Sequence, residues 1–326
     1  MEKDNMFQSR VDLQGLRDSV ENMRRELRKV IVGQDQMVDL LITAFLADGH
    51  VLIEGVPGVA KTLAAKLMAK TFSVQFSRIQ FTPDLMPSDV IGTSVFNQRS
   101  QEFEFRKGPI FSNIVLIDEI NRAPAKTQAA LFEVMEERQI TTDGTTHPMP
   151  PPFVVLATQN PIEHEGTYRL PEAQLDRFLF KVEVDYPSLA EEVEIVKGHH
   201  ERKGELPADS VQPVMTGQEI LAFRNKVKEI HVEEKLIAYI AQIVHSTRAH
   251  NALYLGASPR ASIAILNGSK ALAAIRGRDF VTPEDIREVT SPVLKHRVIL
   301  QPDREMEGVK PAEIIHEIVH RIEVPR

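Results

Sequence analysis

Apolar positions along this chain follow different periods in different stretches, and the changes between them organise it. Leu13, Leu16, Val20, Met23, Leu27 and Val30 recur at alternating steps of three and four, which predicts an amphipathic helix over residues 10–29. The period then shortens. Val51-Leu52-Ile53, Ile114-Val115-Leu116-Ile117 and Phe153-Val154-Val155-Leu156-Ala157 are unbroken apolar runs, and each reads as a buried parallel strand. Leu179-Phe180-Lys181-Val182-Glu183-Val184 adds another strand. Strands alternating with helices from 51 to 185 imply an α/β unit: a mainly parallel sheet with helices on both faces. Two stretches interrupt that rhythm. Ser94-Val95-Phe96-Asn97 and Glu102-Phe103-Glu104-Phe105 alternate around a polar turn and predict a β-hairpin. Arg138 to Thr142 and Thr145 to Met149 flank Asp143-Gly144 and predict a second hairpin, closed off by the prolines at 148 and 150–152. Past Tyr186-Pro187-Ser188, read as the hinge, helical patterns dominate: 189–204, 217–229, 233–249, 259–276, 283–290 and 311–322. The helix from 283 opens on Thr282 as cap with Pro283 at its first position.

The polar residues at the ends of the predicted strands carry the chemistry. Directly after Val51-Leu52-Ile53 comes Gly55-Val56-Pro57-Gly58-Val59-Ala60-Lys61-Thr62. Such a loop turns backbone N–H groups toward phosphate oxygens, and the helix behind it points its positive end at the same place. Lys61 would neutralise the β- and γ-phosphates, and Thr62 would place its hydroxyl on Mg²⁺. Ala60 stands where a glycine is usual; its small side chain and its helix propensity make this a variant of the loop. The strand 114–117 ends in Asp118-Glu119, and ligand chemistry in open α/β sheets sits at such ends. Asp118 can hold the water shell of Mg²⁺, and Glu119 can polarise the water that attacks the γ-phosphate. The strand 153–157 leads to Asn160, which could position that water. Arg177 precedes the last strand, and Arg260 opens a later helix.

Lysine, acid pair, asparagine and two arginines in this order resemble an AAA+ ATPase. The wording is close to the MoxR family: Val32-Gly33-Gln34, the loop Gly55 to Thr62, Gly108-Pro109-Ile110-Phe111, Asp118-Glu119-Ile120-Asn121-Arg122-Ala123, Ala157 to Pro161, Leu170 to Phe178, and Gly256-Ala257-Ser258-Pro259-Arg260. The alanine at position 60 is itself typical of that family. The resemblance runs from residue 25 to the end. It implies a P-loop core with a five-stranded parallel sheet sandwiched by helices, β-hairpin inserts, and a C-terminal all-α lid. The corresponding boundaries are a helical segment at 1–30, a core at 31–186 and a lid at 187–326. Lys61 and Thr62 become Walker A, with Leu63 completing the nucleotide contacts of the loop. Asp118 and Glu119 become Walker B, and Asn160 becomes sensor 1. Arg177 resembles the arginine finger given to a neighbouring subunit, and Arg260 resembles sensor 2. Val32, Gly33 and Gln34 resemble the segment lining the adenine pocket. Arg122 is a lesser candidate for a contact between subunits. The resemblance further implies ATP and Mg²⁺ as cofactors and a ring, read as a hexamer. It implies a chaperone role on a protein client, and a partner carrying a von Willebrand factor A domain.

Composition narrows the alternatives. At 326 residues the chain suits two domains, and 42% hydrophobic residues supply real cores. Cysteine is absent, which removes disulfides and cysteine-ligated zinc. A net charge of −7 argues against binding nucleic acid through bulk charge, and the hairpins carry acids beside their few basic residues. No apolar run reaches membrane-spanning length, and Met1-Glu2-Lys3-Asp4-Asn5 lacks a leader pattern, so the expected location is the cytoplasm. His316-Glu317-Ile318-Val319-His320 matches the zinc-protease pattern in letters. With Glu323 as its one candidate third ligand, it reads instead as an amphipathic lid helix. His199, His200, His245 and His250 read as structural or solvated. A nucleotide-gated scaffold with slow hydrolysis remains the alternative to a motor.

Overall fold

The computed structural model describes residues 11–161, 168 and 170–325. The segment Met1 to Asn5, on which the leader reading rests, lies outside the described residues. The elements in chain order are α1 (Gln14–Arg28), α2 (Asp35–Leu46), β1 (His50–Gly55), α3 (Lys61–Thr71), β2 (Phe76–Gln80), α4 (Pro87–Ile91), β3 (Gly92–Asn97), β4 (Glu102–Lys107) and β5 (Ile114–Asp118). They continue with α5 (Ala125–Glu137), β6 (Gln139–Thr142), β7 (Thr145–Pro148), β8 (Val154–Gln159), α6 (Glu172–Leu175), β9 (Phe178–Val184), α7 (Leu189–Glu201) and α8 (Gly217–Lys228). The chain finishes with α9 (Glu234–Ala249), β10 (Leu253–Leu255), α10 (Pro259–Ile275), α11 (Pro283–Leu294), β11 (Ile299–Leu300), α12 (Pro302–Met306) and α13 (Pro311–Arg321). Two compact units result. One holds Met23–Leu41 and Asp48–Leu221; the other holds the described residues up to Asn22, Ile42–Ala47 and those from Ala222 onward.

The first unit is built on a five-stranded parallel sheet of order β2-β5-β8-β1-β9. Helices cover both faces of its centre, so β5 is buried at every position and β8 at all but its last. That explains the unbroken aliphatic runs. From β1 the chain crosses to the edge strand β2 and works back through β5 to β8. It then passes over β1 to β9. The exits of the neighbours β1 and β8 therefore diverge, which opens a crevice at their C-terminal ends. At the opposite end, His50 is 5% exposed and fully engaged. Its Nδ1 accepts the Val155 N–H at 2.9 Å, so Nε2 carries the proton donated to the Met135 carbonyl at 3.1 Å. That bond ties β1 to β8 and to the end of α5.

Both predicted hairpins form, β3 with β4 and β6 with β7. Gly92 and Gly108 cross so closely at the base of the first that a Cβ on either would strike backbone of the other strand. The hairpins touch each other: Phe105 stacks on His147 with ring centroids 4.5 Å apart, and the Ser94 hydroxyl donates to the Asp143 carboxylate. Farther out, Phe96 and Phe103 meet edge to face at 5.3 Å and remain exposed.

The second unit is helical. Ile240, Ile243, Ile265, Ile286, Val289 and Ile318 pack its interior from α9, α10, α11 and α13. A short antiparallel ribbon, β10 with β11, adds to the expected helices. The helix expected to stop at 290 runs on through Pro292 to Leu294, because Val293 and Leu294 are fully buried and hold the last turn. On α13, Ile314, Ile315, Ile318 and Val319 face inward, while His316 and His320 lie exposed with ring centroids 4.1 Å apart. Among the described residues no helix is long and apolar enough to cross a membrane.

One buried carboxylate anchors this unit. Asp285, with 0% exposure, accepts the Thr282 N–H at 2.9 Å, Arg276 at 3.0 Å and Arg278 at 2.6 and 2.5 Å. Burial works against its charge. The hydrogen bonds from Arg278 and Thr282 and the charges of both arginines outweigh burial and hold the carboxyl below its usual value. The folded chain therefore binds fewer protons here than the unfolded chain does. The stabilisation is complete above the unfolded value of about 4 and is lost as pH falls through the lower folded value. Asp285→Asn is expected to cost ~2–3 kcal/mol at pH 7, below the full price of a broken buried pair because both arginines are partly exposed. Urea midpoints at pH 7 and pH 3 measure this, and the gap between wild type and variant should shrink at the lower pH.

Candidate active site at the strand ends

The loop that follows β1 runs from Gly55 to α3. Gly58 takes φ 88°, a left-handed conformation with open space around its Cα, so conformation and not crowding calls for glycine there. Ala60 is also left-handed, at φ 63° and ψ 18°, and is the residue immediately before α3. Its helix propensity is therefore not what suits it to position 60. What matters is a side chain small enough to accept a left-handed backbone, at a strain of about 1 kcal/mol. Its carbonyl accepts the Ala64 N–H at 2.8 Å and starts the helix. The Lys61 ammonium folds back across the loop onto the Gly55 carbonyl and, at 3.1 Å, the Val56 carbonyl.

The acid pair ends β5. Asp118 is 7% exposed and both its oxygens are engaged. Oδ1 accepts the Thr158 hydroxyl of β8 at 2.6 Å, and Oδ2 accepts the Thr62 hydroxyl of α3 at 3.2 Å. Three elements far apart in the chain, α3, β5 and β8, thus meet on one carboxylate. Glu119 leaves the strand in a left-handed conformation, φ 57° and ψ 54°, with its N–H on the Thr158 hydroxyl at 3.0 Å. The turn throws its side chain away from the strand line. Its Oε2 accepts Gln80 Nε2 at 2.9 Å and forms an ion pair with Arg122, whose Nε lies 2.9 Å away without donating a hydrogen bond. Arg122 therefore faces the acid of its own chain.

These groups line a cavity of about 360 Å³ whose walls include Lys61, Thr62, Asp118, Glu119 and the buried Asn160. Two further wall residues, Arg78 and Gln80 of β2, are absent from the sequence reading. Both Arg78 Nε and Nη2 lie 2.8 Å from Asp118 Oδ2, and Nη2 also donates to Gln80 Oε1 at 3.0 Å. Their signal was available as alternation: Ile79 and Phe81 are buried while Arg78 and Gln80 point the other way. Hydroxyl, carboxylate and room for phosphate oxygens make a hard, oxygen-only donor set, which fits Mg²⁺. Among the described residues no group of three or more His, Cys, Asp or Glu could hold a metal by itself.

Val32, Gly33, Gln34 and Arg177 of the same unit are not among these wall residues. Gln34 donates to the Asp185 carbonyl at 3.3 Å, and the neighbouring Val184 pairs with Gly55. Val32, Gly33 and Gln34 thus lie beside the start of the loop. Gly33 is left-handed at φ 74° and packs against the Glu191 carboxylate, where a Cβ would collide. Arg177, between α6 and β9, pairs with Glu136 at 2.5 Å and lies 5.8 Å from the centre of the Phe132 ring. Arg260 belongs to the helical unit, exposed on the first turn of α10. Its loop is pinned to α9: a Cβ on Gly256 would strike Arg248, Arg248 Nε donates to the Ala257 carbonyl at 2.9 Å, and the Ala257 N–H reaches the Thr247 hydroxyl at 2.9 Å.

Known proteins carry the same pattern. A family profile described as "ATPase family associated with various cellular activities (AAA)" matches residues 50–180, and an AAA lid domain profile matches residues 245–318. A protein of Mycobacterium tuberculosis named Chaperone MoxR1 is 46% identical over 96% of this chain and 85% of its own length. An uncharacterised protein of Bacillus subtilis, YeaC, is 45% identical over 92% of each. A crystal structure of a candidate ATPase from Cytophaga hutchinsonii superposes with a TM-score of 0.88 at 42% identity, covering 96% of this chain and 97% of that one. With a matching sheet, lid and loop, the chain belongs to the MoxR family of AAA+ ATPases.

Proposed function

We propose that this chain hydrolyses ATP to ADP and phosphate in the cavity at the ends of β1, β5 and β8, as one subunit of a cytoplasmic ring, in all a hexamer. The observation that carries the reading is the meeting of Lys61, Thr62, Asp118, Glu119 and Asn160, from separate segments, on one cavity. Lys61 would leave the loop carbonyls of Gly55 and Val56 for the β- and γ-phosphates, while the backbone from Gly55 to Leu63 wraps the phosphates. Thr62 and Asp118 would hold Mg²⁺, Asp118 partly through water; when bound, the ion screens phosphate charge. Glu119 would polarise the attacking water, and Asn160 would orient it. Arg177 would act in a neighbour's site and Arg260 would sense the γ-phosphate. Val32, Gly33 and Gln34 would border the base.

The client is a protein, which the ring remodels or matures. The chaperone name of the Mycobacterium tuberculosis relative supports this. A partner with a von Willebrand factor A domain is proposed on family grounds alone. One observation favours a slower, switch-like cycle: Oε2 of Glu119 is engaged by Gln80 and Arg122, which draws charge away from the group that would polarise a water. Turnover that rises on adding partner would favour the motor, and turnover indifferent to partner the switch.

The direct test of the site is Lys61→Ala. Affinity for a fluorescent ATP analogue is expected to fall by about a hundredfold, since a charge-assisted phosphate contact inside a shielded loop is lost. Unchanged affinity would mean that nucleotide binds elsewhere.

A further inference from the structure

The roles proposed above leave Arg78 unused, although it makes the cavity's ion pair with Asp118. It stands on β2, in register with Leu116 of β5. Both guanidinium nitrogens that reach Asp118 lie 2.8 Å from Oδ2, the same oxygen that bonds the Thr62 hydroxyl at 3.2 Å. Oδ1 is taken by Thr158 at 2.6 Å. The oxygen that Arg78 neutralises is thus the one facing the hydroxyl with which a cation would be shared. The same Nη2 of Arg78 also donates to Gln80 Oε1 at 3.0 Å, and Gln80 Nε2 donates to Glu119 Oε2 at 2.9 Å. A side-chain amide can give its oxygen to a donor and its NH₂ to an acceptor at once, so these bonds fix one orientation of Gln80. The result is a continuous chain from one acid to the other: Asp118, Arg78, Gln80, Glu119.

We propose that Arg78 is a positioning residue that competes with the divalent cation for Asp118, so that the cation is held there only together with nucleotide phosphates. Its displacement then removes the bond that orients Gln80, and Glu119 is loosened as a consequence. The proposal rests on the reading of Thr62 and Asp118 as the cation's seat. Its physical basis is simple. Arginine does not shed its proton, and its charge disfavours a second cation on the same carboxylate oxygen. Phosphate oxygens bring the negative charge that tips the balance. Half of the Arg78 side chain is solvent-accessible, so it can swing aside without unfolding β2.

The experiment is titration of the full chain with Mn²⁺ alone, followed by electron paramagnetic resonance, in wild type and in Arg78→Gln, Arg78→Met and Arg78→Lys. Two neutral replacements guard against a folding defect in either one, checked by thermal melting. The neutral variants are expected to bind Mn²⁺ about tenfold more tightly than wild type, a range set by one unscreened like charge in a partly exposed site. Arg78→Lys, which keeps the charge, should stay within about threefold of wild type. Equal or weaker Mn²⁺ binding by folded neutral variants overturns the proposal. So does a neutral variant that loses affinity for an ATP analogue in EDTA but keeps it for ADP, which would make Arg78 a γ-phosphate ligand. Asp118→Asn separates the two levels: if Mn²⁺ binding is indifferent to it in every background, the seat itself is misread, whatever Arg78 does.

Discussion

Glu119→Gln is expected to lower ATP turnover by about 10²–10⁴-fold while nucleotide affinity stays within about threefold of wild type, the range of a lost general base. The substitution keeps shape and removes the charge that polarises water. Glu119 sits just past the end of β5 in a left-handed turn, with its N–H on Thr158. Glutamine fits that turn as well as glutamate does, and neither Lys61 nor the loop backbone is disturbed. Phosphate release under saturating ATP and analogue binding by fluorescence measure the two quantities separately. A variant that turns over at the wild-type rate would take Glu119 out of the chemistry. A variant that loses binding in proportion to turnover would make it a structural residue. The folded, nucleotide-loaded variant would also hold its client, and so serve to capture it.

Arg177→Ala is expected to have an effect as large, on the order of 10³-fold or more in turnover, by the precedent of arginine residues supplied to a neighbour's phosphate site. Binding should persist, because Arg177 is not among the residues that line the cavity of its own chain. Stability should hardly move. The pair with Glu136 is partly exposed, 28% and 35% at the two side chains, and exposed pairs are worth ~0–1 kcal/mol. The predicted signature is therefore a melting temperature near wild type, intact nucleotide binding and an almost silent ATPase. Subunits carrying Arg177→Ala, mixed with subunits carrying Glu119→Gln, should recover part of the activity. In a mixed ring some sites pair a sound Glu119 with a neighbour's sound Arg177. Loss of binding in Arg177→Ala, or no recovery on mixing, would argue against an arginine shared between subunits.

How much of this was legible beforehand depends on burial. The strands β1, β5 and β8 were written as aliphatic runs because both faces of the sheet's centre are covered. Their C-terminal ends therefore located Lys61, Thr62, Asp118, Glu119 and Asn160 in advance. The strand β2 left only a faint sign. It is an edge strand, and of Phe76-Ser77-Arg78-Ile79-Gln80 only Ile79 is buried, so its alternation with Phe81 is short. The polar wall that Arg78 and Gln80 add to the cavity was lost with it. The ribbon of β10 and β11 was missed because strands of three and two residues leave no period to detect. Local rules misjudged two points. The helix expected over 283–290 runs on through Pro292 to Leu294, where burial of Val293 and Leu294 outweighs the missing backbone bond. Helix propensity, which the sequence offers as a reason for Ala60, does not apply, because its left-handed backbone lies outside the helix. A role that would need a second subunit, as proposed for Arg177, leaves no mark in one chain's contacts; its assignment comes from motif order.

The central claim is that hydrolysis needs two subunits at each site. It is tested most directly by ATP turnover per subunit as a function of protein concentration, with mass followed by light scattering on the same samples. The account predicts little turnover where the chain is monomeric and a steep rise per subunit as larger assemblies form, absent throughout in Glu119→Gln. Full turnover from monomers, unchanged with concentration, would contradict it.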